Sequence, residues 1–166
     1  PTSNEGGNYA TIWTDYDNDG DIDMYEAKCR GGAPINDPKR INLLYQNDGT
    51  GIYTDVGPLA GVNDNAQSWS TAVEDFDNDG DLDYIVNNIN DSAHIFKNKL
   101  IESKSPNSNW LKIKFKGSEN NRNGLGAIVE LFSQNGKKQF WENTPYRGYL
   151  SSVEAGAHFG LSSVSQ

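Results

Sequence analysis

Cysteine and methionine occur once each in these 166 residues, as Cys29 and Met24, and histidine only twice, as His94 and His158. A single cysteine excludes an internal disulfide and any Cys-rich zinc site. Long apolar runs are missing as well. Hydrophobic residues make up 35% of the chain, and no stretch approaches the ~18 consecutive apolar residues of a membrane span. No basic stripe is present to suit a nucleic-acid partner. A start on Pro1 without a signal-peptide pattern is what a mature or excised form would show.

What the chain has instead is turn chemistry. Seventeen glycines, with abundant Asn, Asp and Ser between short apolar segments, describe an all-β protein of short strands and polar turns. The net charge of −9 is a local feature. Ten of the 23 acidic residues lie in two stretches, Asp15-Tyr16-Asp17-Asn18-Asp19-Gly20-Asp21-Ile22-Asp23 and Asp75-Phe76-Asp77-Asn78-Asp79-Gly80-Asp81-Leu82-Asp83. The other 13 face 14 basic residues. Such clustering argues against a generally acidic, disordered chain.

The two stretches belong to an internal repeat. At an offset of 60, Ala10–Thr14 aligns with Ser70–Glu74, the acidic stretches align position for position, and Met24-Tyr25-Glu26 falls opposite Tyr84-Ile85-Val86. Leu44-Tyr45-Gln46-Asn47 then matches Ile95-Phe96-Lys97-Asn98 at an offset of 51, which places nine extra residues around Gly31–Pro38. Strands are expected at Tyr9–Trp13, Ile41–Gln46, Gly51–Val56, Trp69–Val73 and Leu82–Val86, about four per repeat. The turn Asn47-Asp48-Gly49-Thr50 joins a hairpin. Composition changes at Glu102–Asn109, a polar segment read as a linker. Beyond it, Trp110–Lys116 alternates apolar residues with lysine, as a half-solvated strand does. Ala127–Phe132 and Lys138–Trp141 flank the hairpin signal Gln134-Asn135-Gly136.

Each acidic stretch reads Asp-x-Asp-x-Asp-Gly-x-x-Asp. Carboxylates at positions 1, 3 and 5 converge when the glycine at 6 lets the backbone wrap around a point. The carbonyl at 7 then faces inward and the carboxylate at 9 closes the shell. An all-oxygen, anionic donor set selects Ca²⁺ before Mg²⁺, and no His or Cys stands by for zinc or copper. Two Ca²⁺ sites are therefore expected: Asp15, Asp17, Asp19, Asp21 and Asp23, and Asp75, Asp77, Asp79, Asp81 and Asp83. Asp21 and Asp81 would contribute their carbonyls and point their side chains outward. A solvated acidic turn is the ordinary alternative, and two copies in matched contexts weigh against it. An EF-hand needs Glu at position 12 and flanking helices. Glu26 meets the first condition, Val86 fails it, and the flanks read as strands.

These loops lie between two strands, and the first is followed by Asn42-Leu43-Leu44-Tyr45-Gln46-Asn47-Asp48-Gly49 and Tyr53-Thr54-Asp55-Val56. Together these features resemble the FG-GAP or VCBS repeats of integrin-like β-propellers over residues 8–100. The stretch from Asn109 is similar to the ASPIC/UnbV domain that follows such repeats in cartilage acidic protein and its bacterial relatives. The matching residues are Asn109-Trp110-Leu111, Asn121–Ala127, Arg147-Gly148-Tyr149-Leu150-Ser151 and His158-Phe159-Gly160-Leu161.

The resemblance implies two propeller-type blades (about 8–60 and 68–100, within 1–101), a linker at 102–109, and a partial β-sandwich-like ASPIC/UnbV region at 110–166. It also implies a secreted or cell-surface, calcium-stabilised structural or adhesion protein with no established catalysis. Propellers need more blades than two, and the region stops at Gln166, before the final Trp-Pro-containing strand of such domains. That fits a piece of a longer protein; for a complete chain, open sheet edges invite pairing with another chain, with a protein partner or a second copy in a homo-oligomer or filament as the expectation.

No nucleophile stands in a recognisable catalytic context, and both histidines read as structural, so no catalytic residue is assigned. Trp13, Trp69, Trp110 and Trp141 are expected mostly in strand cores. A carbohydrate-binding or accessory module of a larger secreted enzyme, with glycans as partners, is the alternative.

Overall fold

The computed structural model describes residues 7–105, 109–133, 136–146, 148–153 and 155–163. The tip Gln134-Asn135 of the expected hairpin, Arg147, and linker residues 106–108 lie outside them. The first repeat forms an antiparallel sheet in chain order from β1 (Asn8–Thr14), β2 (Asp23–Lys28), β3 (Leu43–Asn47) and β4 (Tyr53–Asp55). The short helix α1 (Gly57–Ala60) ends on Gly61 and leads to the second repeat. There β5 (Ser68–Glu74), β6 (Asp83–Asn88) and β7 (His94–Phe96) form a three-stranded sheet. In the C-terminal third, β8 (Asn109–Ile113) pairs with β11 (Ala157–Ser162), and β9 (Ile128–Phe132) pairs with β10 (Lys138–Glu142). The protein is all-β, and every strand pair among the described residues is antiparallel.

Alternation builds the core. In β1, Ala10, Ile12 and Thr14 are buried while Thr11 and Trp13 face out, the period of two that a half-covered strand requires. Ala10, Ile12, Tyr25, Ala27 and Leu44 meet Val73, Leu82, Tyr84 and Val86 across the two repeat sheets. Burying each larger aliphatic side chain stabilises the fold by about 1.5–3 kcal/mol. Tyr25 and Tyr84, one position apart in the self-alignment, bring their rings to 4.8 Å at the centre. A buried polar network closes one end: Asn42 donates to the Tyr25 and Ser68 hydroxyls, and Ser68 donates to Asn88.

The repeat extends to its irregularities. Both sheets carry a bulge at the start of the first strand, between Asn8 and Ala10 and between Ser68 and Ser70. The extra residues are Tyr9 and Trp69. A bulge re-aims its side chain, and here the two rings stack on one another at 4.3 Å, with Tyr149 edge-on to both.

Four expectations are corrected. The second repeat has three strands among the described residues, because Lys99–Ser105 closes into a turn (Ser103 N–H to Lys99 O, 2.9 Å; Lys104 N–H to Ile101 O, 3.0 Å) where the first repeat continues to β4. The same turn makes the start of the expected linker ordered structure. Strand β8 ends at Ile113, not Lys116, and the Lys112 side chain is only 15% exposed, lying 3.3 Å from Glu74. No tryptophan is in the buried core: Trp13 is 55% exposed and Trp110 37%. Trp110 is fixed by its seat on Gly80, where a Cβ would lie 1.8 Å from its Nε1.

Gly80 also has φ +101°, which a side chain rarely adopts. Gly80→Ala is expected to cost about 1–3 kcal/mol and to shift Trp110 fluorescence; thermal melts followed by tryptophan emission check both.

Candidate metal centres

Each acidic loop connects the first two strands of its sheet. Asn18 and Gly20 adopt φ of 56° and 85°, and Asn78 and Gly80 repeat this at 60° and 101°. Asn and Gly are the residues that tolerate the left-handed region, so the loop can turn sharply twice. In the first loop, the Asp15 carboxylate accepts from Asp19 N–H (3.0 Å) and Gly20 N–H (2.9 Å), and Asp19 accepts from Asp21 N–H (3.0 Å). In the second, Asp79 accepts from Asp81 N–H at 3.2 Å. As a result Asp15, Asp17 and Asp19 each bring a carboxylate oxygen within 4.8 Å of the others, and so do Asp75, Asp77 and Asp79.

Asp23 and Asp83 lie at the strand entrances and are buried. Asp23 accepts from Tyr16 N–H (3.2 Å) and Asn47 N–H (2.8 Å), and Asp83 from Phe76 N–H (3.1 Å) and Asn98 N–H (2.8 Å). These bonds use one lone pair on each oxygen, and an ionised carboxylate has about four. The Asp81 side chain does not point outward as expected. It is buried, with Oδ2 accepting from Ile101 N–H at 3.0 Å, because the turn after β7 packs on it. Asp21 departs from the expectation in part, being half-buried with its Oδ1 shielded from solvent.

The donor set fits a cation. Asp17 Oδ1, Asp21 Oδ1, Asp75 Oδ1 and Asp81 Oδ1 are buried with no hydrogen-bond partner, and such atoms are costly unless something positive meets them. The acidic triads could hold a metal ion. A third group, Asp79, Asp81 and Glu102, adjoins the second loop. Glu102 was missed because it sits in a segment whose composition signals only a linker. Glu26 lies within β2 and belongs to none of these groups among the described residues.

Electrostatics follow burial. Burial first, then the Asp19 and Asp17 charges, push Asp15 up to about 7 against the pull of the Gly20 and Asp19 N–H groups. Burial likewise raises Asp23 to about 8, opposed by the Asn47 N–H. Asp17 is raised by burial and by Asp19. Asp21 reaches about 6 through burial and Asp19, and Asp81 about 6 through burial. The second loop differs at Asp77, held below the usual carboxylate range by its bond to Lys97. Lys97 lies 2.5 Å from Asp77, 3.5 Å from Asp79 and 2.6 Å from Glu102.

The loops also touch. Asn18 Nδ2 donates to the Gly80 carbonyl (3.1 Å), and Asn98 Nδ2 donates to the Tyr16 carbonyl (2.8 Å). The C-terminal third rests on both. Ser162 N–H donates to Asn18 O, Lys137 Nζ to Asp19 O, and a Cβ at Gly160 would collide with Asp15 and Asn18. Burial holds His158 neutral, down at about 4. Since the Asn18 amide nitrogen is spent on Gly80, His158 Nε2–H donates to Asn18 Oδ1 at 2.9 Å.

The FG-GAP-like repeat family matches residues 15–86, and the ASPIC and UnbV family matches residues 117–166. The chain is an FG-GAP-like repeat region followed by an ASPIC/UnbV region. FG-GAP-like repeats are an integrin-like, adhesion-type module typical of extracellular proteins. No curated protein gives a significant match. Among the described residues, no helix is long and apolar enough to cross a membrane.

Raised carboxylates fix the sign of the pH dependence. Asp15 and Asp23 move from 3.8 to about 7 and 8 on folding, so their contribution is fully present below about 4 and is lost as pH rises through 7–8. Metal-stripped protein is therefore expected to melt at a lower temperature at pH 8 than at pH 5. Thermal melts in chelator-treated buffer across that range check it; a rise with pH would contradict it.

Proposed function

We propose that this chain is a non-enzymatic, calcium-binding structural module of an extracellular adhesion-type protein, built from two propeller-type blades. The observation that carries the reading is the set of buried, unpartnered carboxylate oxygens in both acidic loops. Oxygen-only, anionic donors favour Ca²⁺. Asp15, Asp17 and Asp19, and Asp75, Asp77 and Asp79, would hold one ion each, with Asp21, Asp23, Asp81 and Asp83 completing the shells. Each ion would offset the carboxylate repulsion and fasten the first two strands of its sheet. His158 is engaged with Asn18, and His94 with Asp64 at 2.6 Å, which supports structural roles for both.

Self-assembly is the second part of the reading. Of the edge strands of the two repeat sheets, β4 and β7 have three residues each, and short edges oppose strand addition, while the seven-residue edges β1 and β5 pack with one another. The β9–β10 hairpin is the better surface, with Ile128, Phe132 and Phe140 more than half exposed on it.

Calcium at 100 times its dissociation constant stabilises by about 2.7 kcal/mol per site, which is about 5–10 °C for a domain of this size. With both sites emptied, melting temperature should fall by about 10–20 °C on chelation and recover with Ca²⁺; no difference would defeat the calcium reading. Light scattering at micromolar protein in Ca²⁺ tests assembly, and a monomer there removes it.

A further inference from the structure

The two loops are built alike and neutralised differently. Residues 46 and 97 hold equivalent places, each just before the asparagine whose N–H secures Asp23 or Asp83. Gln46 offers Asp17 a neutral amide, Nε2 donating at 2.6 Å. Lys97 brings an ammonium to Asp77 and Asp79 together, at 2.5 and 3.5 Å. Two of the three carboxylates in the second triad already share a positive charge that belongs to the chain. The lysine beside the first loop, Lys137, donates to the Asp19 carbonyl oxygen, and its charge acts on the Asp21 carboxylate, which is not part of the first triad. The innermost carboxylate of the second triad is not satisfied by Lys97: Asp75 is 4% exposed, Lys112 Nζ lies 4.0 Å from its Oδ2, and its Oδ1 is buried without a partner. A role for a cation therefore remains there.

We propose that Lys97 is an internal counter-ion that lowers the Ca²⁺ affinity of the second loop, so that the two loops fill in order, the first before the second. The proposal rests on the calcium reading above. An ion entering the second triad must either share it with the ammonium or displace it, and each alternative weakens binding. Glu102 makes displacement feasible, because Lys97 already pairs with it at 2.6 Å. When calcium is scarce, the lysine keeps Asp77 and Asp79 from repelling one another.

Calorimetric titration of the metal-stripped full chain with CaCl₂ tests this. Wild type should show two classes separated by roughly tenfold or more. Lys97→Gln, which copies the first loop, should tighten the weaker class by a similar factor and leave the stronger one in place. It should also lower the calcium-free melting temperature while enlarging the gain from Ca²⁺, a crossing that simple loss of structure would not give. Gln46→Lys should weaken the stronger class about tenfold, which keeps the test open if Lys97→Gln folds poorly. Two classes that Lys97→Gln and Gln46→Lys leave unmoved would overturn the proposal and spare the calcium reading. Absence of any binding heat or calcium-dependent stabilisation would overturn both.

Discussion

Mutual repulsion among convergent carboxylates is the constraint around which the rest is arranged. Asp15 and Asp19 are held by backbone N–H groups of their own loop and Asp17 by the Gln46 amide, and burial removes the water that would screen them. The loops cannot relax outward, because Asp23 and Asp83 tie their ends to Asn47 at the end of β3 and to Asn98 just after β7. Sheet geometry therefore concentrates acidic groups, which could hold a cation at the place where the first two strands diverge.

The C-terminal third depends on the same loops from the other side. Gly160 lies against Asp15 and Asn18, Trp110 covers Gly80, and His158 bonds to Asn18. Small residues at 80 and 160 allow this close approach, and the left-handed Asn18 presents its amide to both neighbours. The surface that would order around a cation is thus also the surface on which the ASPIC/UnbV region rests.

The repeat, the strand-flanked loops and the all-β class were legible in the sequence because each rests on local spacing: Asp at alternate positions, glycine at a fixed place, apolar residues with period two. Burial of Asp81 and the position of Glu102 were not, since both depend on how the turn after β7 packs. The tryptophans misled for the same reason. Aromatic content suggests a core, but a bulge at Trp69 and a glycine seat for Trp110 set their surroundings instead. The difference between the loops was present all along in the pairing of Gln46 with Lys97. Its meaning required the distances to Asp17, Asp77 and Asp79.

Asn98 belongs to the second repeat by sequence, yet its side chain satisfies the Tyr16 carbonyl of the first, while Asn18 of the first satisfies Gly80 of the second. Each copy thus finishes the hydrogen bonding of the other. The unit that is duplicated in the chain is consequently not an autonomous folding unit: excised alone, either copy would surrender bonds that only its twin supplies.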